Sequence, residues 1–166
     1  MSPQPHQPRQ QRELRDLLHC RRTAVLGSVN ADGTAMVSMV PYAIEASAPC
    51  LVIHVSSLAA HSGNLLRQPA VSLLVMAPEV PGEPVHALPR ATLQGKAQVP
   101  TPDSPDWHTA RAAYLARFPQ AATMTELGDF RLVRIHVEQI RQIAGFGAAY
   151  TVDARAIVLL LAAQQD

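Results

Sequence analysis

Ser56 and Ser57 stand side by side, with His61 and Asn64 a short way further along the chain. Hydroxyls, an imidazole and an amide at this spacing suit the binding of a phosphate or carboxylate. The group sits between two apolar runs, CLVIHV and VSLLVM. Their pattern predicts a strand over Cys50 to Val55, a short helix over about Leu58 to Arg67, and a second strand over Val71 to Met76. A serine at the strand-to-helix join can cap the helix while its leading N–H groups point outward, where an anion can sit. His61 and Asn64 fall one turn apart, on a face able to look back toward that point. The same serines serve equally well as plain helix caps.

No other chemistry stands out along the chain. There is no Ser-His-Asp order, no H-E-x-x-H, no cysteine pair at metal spacing and no phosphate loop of the G-x-x-x-x-G-K-[ST] type. If the protein is an enzyme, a bound cofactor therefore carries the reaction. Fourteen Lys and Arg against thirteen acids leave a net charge of +1, which gives nucleic acid no electrostatic footprint. Cys20 and Cys50 form no bridge framework and read as buried thiols of a reduced, cytoplasmic protein.

The elements around the join must form one compact domain, since 166 residues with 48% hydrophobic content support a single sizeable core. Residues 1–12, rich in Pro and Gln, read as a disordered tail without a secretion signal. A helix from near Gln11 carries Leu14, Leu17 and Leu18 on one face. Thr23 to Asn30 and Thr34 to Glu45 read as a hairpin around Asn-Ala-Asp-Gly, with Pro41 marking a bulge or the start of a free edge. After a proline-rich loop, Arg90 to Val99 is a strand with Gly95 at a bulge or close approach. Ser104-Pro105-Asp106 starts a helix on which Trp107 is a packing anchor. Ala121 to Leu127 reads as a short helix, Phe130 to Val137 as a mixed-face strand, and Gln139 to Ala144 as the last strand. Residues 154–166 read as a C-terminal helix whose AIVLLLAA run is far short of the roughly 20 apolar residues of a membrane span. Adjacent strands with short turns imply an antiparallel barrel over residues 13–153.

The segment S-S-L-A-x-H-S-x-N-L-x-x-x-P-x-V-S-L-L resembles the signature of the FMN-binding split-barrel superfamily, the pyridoxamine 5'-phosphate oxidase-like fold, and within it the HugZ-type haem-utilisation branch. The hairpin Thr23–Glu45, the strand RATLQG from Arg90 and the run IAGFGAA from Ile143 follow in the same order. The resemblance implies a mostly β, Greek-key-like antiparallel split barrel with flanking helices, binding FMN between the subunits of a homodimer. It implies that Val37, Ser38 and Met39 lie along the flavin, and that Ser56, Ser57, His61 and Asn64 surround the phosphate site. It also implies that Arg90 reaches a flavin across the interface. Pyridoxamine-phosphate oxidases hold the phosphate with an Arg-Lys pair where this chain has Ala60 and His61, and residues matching their substrate-phosphate site are missing. Two functions are then expected: an FMN-dependent oxidoreductase with a small substrate, or a non-catalytic split-barrel protein that binds haem or a protein partner.

Overall fold

Gly33 adopts φ +83°, which a residue without Cβ reaches freely, and this lets the chain reverse after Asn30. Asn30 and Thr34 close the turn through backbone hydrogen bonds, while Asp32 accepts from both the amide and the hydroxyl of Thr34. In the computed structural model, which describes residues 9–145 and 148–162, the turn joins β1 (Thr23–Val29) to β2 (Ala35–Glu45). A second turn leads to β3 (Cys50–Ser56), completing a meander.

The chain then crosses through α2 (Ala60–Arg67) and returns as β4 (Ala70–Met76) beside β1, which makes the Greek-key step. Next come β5 (Arg90–Gln98), α3 (Pro105–Arg117), β6 (Phe130–Gly145), β7 (Ala148–Val152) and α4 (Ala154–Ala162). The sheet order is β3-β2-β1-β4-β5-β6-β7, and pairing of β3 with β6 closes six strands into an antiparallel barrel. Leu26, Leu51, Ile53, Leu73, Leu93 and Ile135 fill its interior.

Helix α1 (Arg9–Cys20) begins two residues before its expected start and buries Leu14, Leu17 and Leu18 against the barrel together with Ile157 and Leu160 of α4. The first eight residues of the expected tail, and Phe146 and Gly147 of the GFG motif, lie outside the described residues. Helix α3 covers the other side of β2, β3 and β6 with Ala110, Tyr114 and Phe118 over Val52 and Leu132. Ser104 caps it by accepting from the Trp107 amide, and Pro105 takes its first turn.

Three expectations change. The strand expected in two pieces is one, β6, with β7 added beyond it; its register against β5 skips Glu138, so the strand bends there without ending. The expected helix over Ala121 to Leu127 is two single 3-10 turns. Cys50 is buried, whereas Cys20 is exposed. Among the described residues, no helix is long and apolar enough to cross a membrane.

Candidate functional site

Pro41 marks a parting of strands. Residues 35–41 of β2 pair with β1, but pairing with β3 starts only at Tyr42, opposite Ile53. Beyond that point β3 continues to Ser56 on β6 alone. Among the described residues, Met36 to Val40 thus have no strand on their second edge, which leaves every other N–H and C=O there open to a ligand.

Helix α2 bridges this opening. His61 Nδ1 lies 3.1 Å from Ser38 Oγ on β2. One turn on, the Asn64 amide nitrogen donates to Ser28 Oγ at 3.1 Å and Asn30 Oδ1 at 2.9 Å, and its oxygen accepts from Arg67 at 2.6 Å. Asn64 is 1% exposed, so it ties α2 to the hairpin and presents no free group. His61 is half-buried, its Nε2 has no partner among the described residues, and burial lowers its pKa below 6.5. At neutral pH the imidazole is uncharged.

The serines do not cap the helix. Its N-cap is Ala59, which contributes no side-chain hydrogen bond. Ser56 still belongs to β3; its hydroxyl accepts from the Leu58 amide and its carbonyl accepts from the Ser62 hydroxyl. Ser57 is exposed and donates its backbone N–H to the Asp129 carbonyl. The helix starts two residues late because this turn already satisfies the backbone the serines were expected to serve. Arg67 is turned onto Asn64, so among the described residues the first turn of the helix itself offers N–H groups and hydroxyls.

The other expected residues divide. Ser38 and Met36 face α2, whereas Val37 and Met39 project from the opposite face, 70% and 67% exposed. A ligand on the free edge would therefore meet the main chain of Val37 and Met39, not their side chains. Arg90 does not meet His61 within one chain. Ser38 lies in a row through Leu26, Leu73 and Leu93, three strand spacings or roughly 14 Å across, and Arg90 is three residues or roughly 10 Å further along β5. Its guanidinium donates to the Leu88 carbonyl at 3.0 Å.

Two polar clusters carried no sequence signal. Arg134 of β6 makes two hydrogen bonds to Glu45 and reaches Asp106 at 2.9 Å. Burial opposes its charge, but bonding to Glu45 outweighs this and raises its pKa. Beside it Cys50 Sγ lies 3.0 Å from His136 Nδ1, whose Nε2 lies 2.7 Å from Gln98 Oε1. The chain of groups looks like a nucleophile and its base, but burial pushes the thiol up to about 11, so it stays protonated and inert.

Residues 10–144 match the family described as pyridoxamine 5'-phosphate oxidase. The chain is 30% identical over 153 residues to the heme oxygenase HutZ of Vibrio cholerae, covering 92% of this chain and 86% of HutZ; a crystal structure of HutZ, titled as the heme storage protein, aligns with TM-score 0.72 at 27% identity, covering 80% of this chain and 94% of that one. The non-canonical chloroplastic heme oxygenase HOZ of Arabidopsis thaliana is 34% identical over 119 residues, 72% of this chain and 35% of HOZ. The structure of a heme binding protein from Mycobacterium smegmatis aligns with TM-score 0.80 at 27% identity, covering 92% of this chain and 61% of that one.

Proposed function

Because the chain belongs to the pyridoxamine 5'-phosphate oxidase family, we propose that it is the haem-binding form of that split barrel, with His61 as the iron ligand. The observation that carries this is its likeness, over 92% of its length, to a protein named as a heme oxygenase. The site's chemistry supports it. A haem iron takes a neutral imidazole, and a ligating histidine is oriented by a hydrogen bond at its other ring nitrogen. His61 has both: an imidazole kept neutral by burial, and Nδ1 held by Ser38 with Nε2 left over. This displaces the FMN-dependent oxidoreductase to second place. FMN would bring hydride-accepting chemistry, and the free edge of β2 favours a flat ring there. Its phosphate, however, would have only Arg67 of the same helix for a cation, and that guanidinium is held on Asn64.

Titration of the desalted protein with haemin and, separately, with FMN tests this order. A Soret band retained through gel filtration is expected, with His61→Ala weakening haemin binding at least tenfold and Ser38→Ala by less. Affinity should also fall as pH drops through the lowered pKa of His61, because the proton competes for the same lone pair. FMN retained with no haemin uptake would reverse the order, and unchanged haemin affinity in His61→Ala would remove His61 from the role.

The assembly proposed is a homodimer with the cofactor at the interface. Val25, Val29, Val37 and Met39 are exposed on one outer face of β1 and β2, and an apolar sheet face of this kind suits a second copy. In such a dimer the family resemblance would have Arg90 of one subunit reach the other's cofactor. Light scattering should give twice the chain mass; a monomer at tens of micromolar would remove both the dimer and the role of Arg90.

A further inference from the structure

Helix α2 presents His61 to β2 and turns Leu66 elsewhere. Leu66, 54% exposed, is one wall of a cleft of about 730 Å³ that also takes in the Val99–Asp103 segment, Trp107 of α3, the 3-10 turn before Gly128 and the start of β6. Neither His61 nor Ser38 lines it. The volume lies within the roughly 300–1,000 Å³ of small-molecule pockets.

Its walls set preformed apolar surface among polar side chains. Trp107 and Phe130 are both half-buried yet contribute ring surface to the cleft. Phe130 is held by stacking on His54, centroids 5.0 Å apart, and Trp107 by the Arg111 guanidinium at 5.8 Å. Two fixed aromatic rings with leucine and proline around them favour a flat, apolar ligand at little ordering cost.

The charges narrow the choice. Arg131 lines the cleft, and its side chain makes no hydrogen bond or ion pair among the described residues, so its guanidinium is available. Two carboxylates share the lining: Glu126, already held by Arg111 at 3.2 Å, and Asp103. One available cation beside these carboxylates can satisfy one acidic group, and it disfavours a phosphate dianion or the paired propionates of haem. We propose that this cleft binds a flat aromatic molecule carrying a single acidic group, independently of the His61 site.

Trp107 is the only tryptophan of the chain, so its emission reports on this cleft. The probe is 1-anilinonaphthalene-8-sulfonate, which is aromatic, carries a flat naphthalene ring and has a single negative charge. Saturable quenching of Trp107 at one probe per chain is expected, with affinity reduced at least tenfold by Arg131→Glu and by Leu66→Glu. Both positions are exposed, and circular dichroism checks that both variants are folded. Haemin-loaded protein should bind the probe as the unloaded protein does. Quenching unmoved by both substitutions, competition with haemin, or no binding at a hundred micromolar probe would each overturn the proposal.

Discussion

Arg134→Met should cost about 3–5 kcal/mol of folding stability, the range for removing one partner of a buried ion pair. The side chain of Arg134 is 8% exposed and that of Glu45 2%. The guanidinium meets both carboxylate oxygens of Glu45, Nε to Oε2 at 2.9 Å and Nη2 to Oε1 at 2.7 Å, and turns Nη1 to Asp106 in the first turn of α3. One cation thus joins the end of β2, the middle of β6 and the helix that covers them. Methionine replaces much of the packing but leaves the Glu45 charge buried without its counter-ion. Out of a typical total of about 5–15 kcal/mol, the loss is large. Urea denaturation measures it, and the double variant Glu45→Leu with Arg134→Met should recover most of it, because an apolar pair of similar volume carries no desolvation penalty. A single variant within about 1 kcal/mol of the parent would mean the pair contributes no more than an exposed salt bridge.

The same pair shows where sequence reasoning stops. FRLVRIHV reads as a strand with mixed faces, and the inference from mixed faces is partial exposure. In the fold both faces are covered: Val133 and Ile135 point into the barrel, while Leu132 and Arg134 lie under α3. A charged residue there is tolerated only because Glu45 stands opposite, 89 positions away in the chain, and no local pattern encodes that partner. The hairpin was legible because its determinants are local: a turn cluster needing positive φ at Gly33, and a proline where the second edge of β2 opens. The start of α2 was not. Ser-Ser before an apolar helix has the composition of a cap, yet the β3 ladder extends through Ser56 and consumes it. Asn64 was picked out by spacing as a ligand group, and only the position of the β1–β2 hairpin shows that its amide is already spent. Spacing also picks out His61, but not its contact with Ser38, which spans 23 residues and a crossing of the barrel's open seam.

Gly95→Ala should be at least as disruptive as an overpacked core substitution, about 3 kcal/mol or more. The cause is not backbone conformation, because Gly95 does not have the positive φ of Gly33. It is space: a Cβ at Gly95 would lie 2.1 Å from the His136 carbonyl oxygen and 2.9 Å from its carbon. Those are backbone atoms of the adjoining strand, so no side-chain rotation relieves the contact. The close approach arises at the bulge, where Gln94 faces Gln139, Gly95 faces Val137 and Glu138 has no opposite number. Separating β5 from β6 there is resisted on both sides, since Gly95 also faces Val71 of β4 and β6 is held to β3 to close the barrel. Gly33→Ala provides the contrast: nothing lies within 4 Å of its Cβ position, and its cost is the left-handed backbone alone, about 1–2 kcal/mol. Thermal melts of the two variants should therefore rank Gly95→Ala well below Gly33→Ala. The reverse order would show that β5 and β6 can part at the bulge without loss, and that the barrel's register near Arg90 is set by something other than this contact.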